Sequence, residues 1–361
     1  MIAREREAAI RELLAKQEIA QSLALHSRGV DRADYPMLRS AYHDDADFSY
    51  GMPAMQLVRF LADAQKALPG TLHRTCNAWI RLAGENSALS ESYVIAHLET
   101  LESGAGTQRL IGGRYLDRHA RKDGAWRLMH RSFVLEWNVN QPSSGVWPEA
   151  AGAMFAPRGG KTNADPGATL LATWTAAFPT EVKPMSGSTQ LEQDVDLALS
   201  RQALHELTMA YCRGADRADE ALLASAFHED ATVVAGAFNG KAPQFAREVT
   251  KQIREDLKRV FHSVANEWFQ ITSDRAVGES YAIAVATHSV DGKDMDVITG
   301  GRYVDRFERR AGTWKIAERV FVQDWNINQP STASFDDAFY GGLKLRGCYG
   351  ASDPIYAFWQ A

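Results

Sequence analysis

The spacing of apolar residues along this chain changes in a fixed order, and the order occurs twice. Residues about 5–30 place apolar positions at helical spacing among mixed acids and bases, which predicts a helix. A short second helix holding Asp31-Arg32-Ala33-Asp34 follows, then a strand over 46–51 and another helix. Three or four long strands come next, at 72–82, 88–100, 108–119 and 126–139, bounded by turns such as Lys122-Asp123-Gly124. The second half predicts the same series, with a helix at 191–214, a strand at 231–236 and long strands at 261–271, 276–290, 296–307 and 314–327. Helices first and a meander of strands afterwards is an α+β order, not βαβ. Each half therefore reads as a curved, mostly antiparallel sheet wrapped around helices, with a pocket in the concave face.

Identity between the halves is direct. Residues 112–143 and 300–331 align without a gap, and 18 of the 32 positions are the same. The run from Ser27 (SRGVDRADYPMLRSAYHDDA) matches the run from Cys212 (CRGADRADEALLASAFHEDA), and Leu72-His73 through Trp79 matches Phe261-His262 through Trp268. This is an internal duplication. It divides the chain into a first domain at 1–142, a connection at 143–190, a second domain at 191–331 and a tail at 332–361. A connection of this length is unusual unless it has a job. Trp147, Phe155, Trp174, Phe339, Tyr340, Tyr349, Tyr356 and Trp359 give it and the tail apolar anchors, and both are expected to act as lids over pocket mouths.

Composition narrows the function. The net charge of -5 argues against nucleic acid as a partner. No run of about 18 apolar residues could span a bilayer. The N-terminal stretch suits neither a secretory nor a transit peptide, and three distant cysteines (Cys76, Cys212, Cys348) suit reduced thiols in the cytoplasm. Neither a metal-ligand cluster nor a phosphate loop is present, so no cofactor and no metal are expected. The Gly112-Gly113 and Gly300-Gly301 pairs sit within strands and read as bulges or bends.

What remains is an acid–base pairing in each half. Asp31 and Asp216 stand where a helix gives way to a turn, and His73 and His262 open the first long strand. Alternation puts His73, Asn77 and Trp79 on one face, and His262, Asn266 and Trp268 on another. A carboxylate that orients an imidazole makes a workable general base, although a lone strand histidine is more often a core residue. Asp34 and Asp219 are alternative caps for the second helix. Arg131 and Arg319 share aromatic faces with Phe133 and Trp137, and with Phe321 and Trp325. Each should bind an anionic group or pair with a carboxylate, Asp31 or Glu91 in the first half. His97 and His288 are candidates for a second acid, while His43 and His228 read as capping or surface residues.

The run Tyr211-x-x-x-x-Asp216-Arg-Ala-Asp219, followed by Phe227-His228-Glu-Asp230-Ala231, resembles the opening of SnoaL-like domains of the nuclear transport factor 2-like (NTF2-like) superfamily. That group includes scytalone dehydratase, bile-acid dehydratase, hexachlorocyclohexane dehydrochlorinase and a sphingomonad diarylpropane lyase. The resemblance covers roughly 10–142 and 195–330 and implies two cone-shaped domains. It also implies dyads of Asp31 with His73 and Asp216 with His262, and pocket tyrosines at Tyr211 and Tyr50. His26 and Ala235 replace the matching hydroxyls. The expected activity is a cofactor-independent lyase acting on a small hydroxylated aromatic molecule, with dehydration as the default. A ligand-binding or scaffold protein and an isomerase are the alternatives, and a homodimer of the fused chain is left open.

Overall fold

The computed structural model describes residues 2–48, 54–102, 105–145, 157–177, 189–236, 238–333, 347–354 and 356–357. The first repeat runs α1 (Ile2–Asp31), α2 (Tyr35–Ser40), β1 (Tyr42–Phe48), α3 (Ala54–Lys66), β2 (Gly70–Gly84), β3 (Ser87–Glu102), β4 (Ala105–Lys122) and β5 (Ala125–Pro142). After α4 (Pro166–Ala176), the second repeat runs α5 (Gln190–Asp216), α6 (Glu220–Ser225), β6 (Phe227–Ala235), β7 (Phe238–Lys241), α7 (Ala242–Asp256), β8 (Leu257–Thr272), β9 (Arg275–Val290), β10 (Lys293–Arg310) and β11 (Thr313–Pro330). The strand orders are β1-β5-β4-β3-β2 and β7-β6-β11-β10-β9-β8. The β1/β5 and β6/β11 pairs are parallel and the rest antiparallel, so the fold is α+β with two NTF2-like domains. Among the described residues no helix is long and apolar enough to cross a membrane.

The turn that ends α1 positions the site. Gly29 packs against the backbone of Leu38, where a Cβ would come within 2.6 Å of the Leu38 Cα; Gly214 does the same against Leu223. Asp34 caps α2 by accepting from the Met37 N–H, and Asp219 caps α6 through the Leu222 N–H. Capping is thus done by these later acids, and Asp31 and Asp216 at the helix C-termini are left to other partners. Leu23, Val30, Leu38, Tyr42, Val58 and Leu128 form the first core, and Leu204, Leu223, Phe227, Phe245, Phe307 and Ile316 the second.

A buried charge network joins the repeats. Arg28 donates to Glu279 at 2.7 Å, and Arg32 donates to Asp324 at 2.8 Å and to Asp165 at 3.3 Å. Arg302 donates to Asp324, Asp165 and Glu279. Asp165 comes from the connection. Thr162 N–H donates to the Arg32 carbonyl at 2.6 Å, and in the tail Gly350 N–H donates to the Arg217 carbonyl at 2.7 Å. Asp165 pairs with Arg32 as Asp353 pairs with Arg217. In the segment expected to be a lid, α4 lies on the back of the second sheet, where Leu171 and Trp174 pack against Val277, Val304 and Val322. Tyr349 and Tyr356 donate to the Leu257 carbonyl and to Asp219 respectively. The other anchors expected there, Trp147, Phe155, Phe339, Tyr340 and Trp359, lie outside the described residues.

Candidate active site

Asp31 ends α1, where the helix leaves carbonyls and partial negative charge, an unfavourable place for a carboxylate. His73 resolves this twice. Its Nδ1–H donates to Asp31 Oδ1 at 2.6 Å and its backbone N–H donates to Oδ2 at 2.8 Å. Burial alone would raise the Asp31 carboxyl, but the His73 ring, its two bonds and nearby Arg32 outweigh it and hold the group below its usual range. An ionised carboxylate only accepts, so Nδ1 carries the proton and Nε2 is the nitrogen available to a ligand. The second repeat repeats the pair: His262 donates to Asp216 through Nδ1 at 2.6 Å and through its backbone N–H at 3.0 Å.

His73 opens on a cavity of about 480 Å³ whose other polar lining includes His26, Tyr115 and Arg131. Most of its wall is apolar, from Val30, Phe48, Leu57, Val94, Leu98 and Phe133. Arg131 donates through Nε and Nη2 to both oxygens of Asp117, each at 2.8 Å, and stacks 3.8 Å over the Tyr115 ring. Burial disfavours its cation, but Asp117 more than compensates and keeps it charged. Arg131 Nη1 is buried and finds no acceptor among the described residues. His26 Nδ1 shares a hydrogen bond with Tyr42 Oη at 2.7 Å. Burial, then Arg131 and His73, push its pKa well below the ordinary imidazole value, so it is neutral.

The second interior carries the same frame with different filling. Arg319 pairs with Asp305 at 2.7 Å through two bonds and lies over Tyr211 and Tyr303. Tyr211, which replaces His26, stacks on Phe245, which replaces Leu57, and Phe245 meets Phe238 with ring centroids 5.3 Å apart. Burial pushes the Tyr211 hydroxyl up to about 12 despite Arg319.

Several expected site residues stand elsewhere. A register shift between Cys76 and Trp79 breaks the alternation of β2, and a matching shift lies between Ala265 and Trp268. Trp79 is therefore out on the back of the sheet, Asn77 is exposed beside it, and Trp268 lies under Arg28 at 5.1 Å. Asn266 reaches the other repeat instead of the pocket. A shift at Gly300-Gly301 likewise turns Trp325 away from the face of Arg319 and Phe321. The same shift occurs at Gly112-Gly113, where the Trp137 side chain lies outside the described residues. His97 points to the back of β3 and stacks on Trp325 at 4.3 Å. His288 shares the face of Ala284, the residue opposite His262, but lies about 14 Å further along at ~3.4 Å per residue. The carboxylate partner of Arg131 is Asp117, not Asp31 or Glu91, because these residues face each other across β4 and β5. His43 and His228 bond the carbonyls of Ala120 and Glu308 from strands, not helix caps. Tyr50 lies outside the described residues. Sequence reasoning missed Tyr42, Tyr115 and Asp117 and left His26 without a role; Tyr115 and Asp117 sit in the most identical block, on the strand facing Arg131.

A duplicated cone with a His–Asp pair in each half defines a class, and the comparisons name it. The chain belongs to the SnoaL-like domain family, whose model matches residues 11–132 and again 196–320. Similar solved structures include a candidate scytalone dehydratase from Novosphingobium aromaticivorans (21% identity, 39% of this chain and 95% of that one, TM-score 0.34). Another is a type 3 hexachlorocyclohexane dehydrochlorinase from Novosphingobium barchaimii (24%, 39% and 96%, TM-score 0.35). A type 2 dehydrochlorinase matches at 23% identity over 40% of this chain and 99% of that one, TM-score 0.36. The comparison with curated proteins finds no match.

Proposed function

We propose that this protein is a cofactor-independent lyase that eliminates water from a small hydroxylated aromatic molecule in the first-repeat cavity. The observation that carries this reading is His73, held at Nδ1 by an ionised Asp31 and facing an apolar cavity of about 480 Å³ that also contains Arg131. His73 Nε2 takes a proton from the carbon beside the leaving group, and the C–H electrons form the new double bond. Asp31 stabilises the imidazolium. Arg131 Nη1 donates to the departing oxygen, which leaves as water once the proton held by His73 is delivered to it. Phe48 and Phe133 suit a flat ring.

A narrower substrate fits the same groups: a lignin-derived diarylpropane diol with a para-hydroxyl. Loss of its benzylic hydroxyl as water, with the second proton of that water coming from the para-hydroxyl, gives a quinone methide. Removal of the terminal hydroxyl proton by His73 then breaks a C–C bond, returns electrons to the ring and its oxygen, which takes up that proton, and releases formaldehyde. The second repeat takes a supporting, non-catalytic role in this reading, because the bulkier Tyr211 and Phe245 stand where the first repeat has His26 and Leu57 in its cavity wall. The three cysteines, all unpaired, suit the cytoplasm.

The test is product mass. Hydroxylated aromatic dimers, sterols and polyketide-like compounds are incubated with the protein and no added cofactor. A product lighter by one water, or by water and formaldehyde, supports a lyase; a rearranged product of equal mass supports an isomerase; tight binding without change supports a carrier.

A further inference from the structure

The contact between the two repeats is head to tail. The first repeat contributes Leu72 on β2, Arg28 on α1 and Arg32 in the turn after it; the second contributes mainly the back of its sheet. Leu72 is buried among Tyr281, Trp325 and Ile327. Asn266, held in the left-handed region at φ 51°, donates through Nδ2 to the His73 carbonyl at 2.5 Å and accepts at Oδ1 from the Thr75 N–H at 2.6 Å. Apart from Arg74 with Ser263, which are equivalent positions, and His97 on Trp325, this contact uses different surfaces on its two members, so each repeat still carries most of the half that the other one uses.

Among the described residues, the remaining parts of both halves include exposed apolar side chains. On the back of the first sheet, Tyr93 and Val139 are each 47% exposed, at the positions where Tyr281 and Ile327 are 1% and 2% exposed. Trp79 is 74% exposed, whereas its counterpart Trp268 packs against the cluster of Leu171 and Trp174. The Arg114–Glu91 pair repeats Arg302–Glu279, but at the surface. At the other end of the chain, Phe261 is 57% exposed where Leu72 is 1%. Asn77, exposed on the first repeat, already has the left-handed φ of 46° that Asn266 uses to reach across. Contiguous exposed aromatic and aliphatic side chains around an ion pair mark an interaction surface.

We infer that a second copy of this chain docks its second repeat on the back of the first repeat's sheet, repeating the internal contact between molecules. Phe261 of that copy enters between Tyr93 and Val139, as Leu72 enters between Tyr281 and Ile327. Asn77 meets the backbone of the second copy's β8, next to His262, as Asn266 holds the backbone of His73. The tail presents Asp353 as the connection presents Asp165, which bridges Arg32 to Arg302, so its partner on the open face is Arg114. Two copies, each giving and receiving once, make the smallest closed form; a step that does not close in two gives a larger ring or a filament.

Sedimentation velocity on the full chain tests this. The expected species has at least twice the 39.9 kDa mass of one chain. Tyr93→Asp and Phe261→Asp, at opposite ends and both exposed in a single copy, should each weaken association by about 30-fold or more. Arg114→Asp and Asp353→Arg should each associate poorly alone, and an equal mixture should associate again because each variant then meets the opposite charge. A wild-type chain that stays single at every concentration overturns the inference, the open face then being covered by the chain's own tail. Association unchanged by Asp353→Arg and Phe261→Asp overturns it in favour of sheet-to-sheet pairing.

Discussion

Asp31 holds His73 from two directions, one carboxylate oxygen on the ring Nδ1 at 2.6 Å and the other on the backbone N–H at 2.8 Å. The ring cannot rotate away without losing a charge-assisted bond. If Nε2 is the base, His73→Ala lowers kcat by about 10²–10⁴-fold on any compound the protein turns over. Rate measurements at saturating substrate check this, with melting curves to show that the variant is folded.

The second dyad should behave differently. His262→Ala is expected to leave turnover close to wild type. Leu57→Phe, which gives the first cavity the residue found at Phe245, should abolish turnover while leaving thermal stability unchanged or higher. Steady-state rates beside melting temperatures separate loss of the cavity from loss of the fold.

Arg131 and Asp117 form a buried, two-bond pair. Removing one member strands the other, so Arg131→Leu should cost about 3–5 kcal/mol of stability. Arg131→Met combined with Asp117→Leu should recover most of that loss. Urea titrations of the single and double variants measure both values.

Acid should destabilise the protein from the pH at which free histidine protonates. His26 is kept neutral by burial, with Arg131 and His73 adding to the effect. Burial also pushes His97 down to about 3 and His119 down to about 4. The unfolded chain takes up these protons below about pH 6.5 while the folded chain does not, so each histidine removes about 1.4 kcal/mol per pH unit in that window. The loss from His119 stops near pH 4 and that from His97 near pH 3. His97→Phe, which keeps an aromatic ring against Trp325, should make the stability–pH slope shallower by one proton between pH 6 and 4.5, as read from denaturation at each pH.

How far the residues alone led depends on periodicity. The repeated identities and the α+β order were legible because they rest on sequence matches and on the ends of elements, while the nearness of Asp31 to His73 and Asp216 to His262 followed from the resemblance to SnoaL-like domains. The glycine pairs read as bends are sites of register shift. Strict alternation failed at the bulges: one extra residue between Cys76 and Trp79 reverses every later side chain, which removed Trp79 and Trp268 from the pockets. His97 went wrong for a related reason, since which face of β3 is concave depends on the sheet's curvature. The contrast of Leu57 with Phe245 and His26 with Tyr211, which puts bulkier side chains into the second interior, is carried by substitutions that look ordinary in an aligned pair. The contact through Asn266 was invisible, because it depends on how the repeats sit against each other.

The most direct measurement is mass spectrometry of a hydroxylated aromatic panel incubated with wild type, His73→Ala and His262→Ala, without cofactor. The proposed mechanism predicts a product lighter by one water, or by water and formaldehyde, formed by wild type and His262→Ala and not by His73→Ala. A wild type that leaves every compound unchanged, or a product that His73→Ala still makes at the wild-type rate, would contradict it.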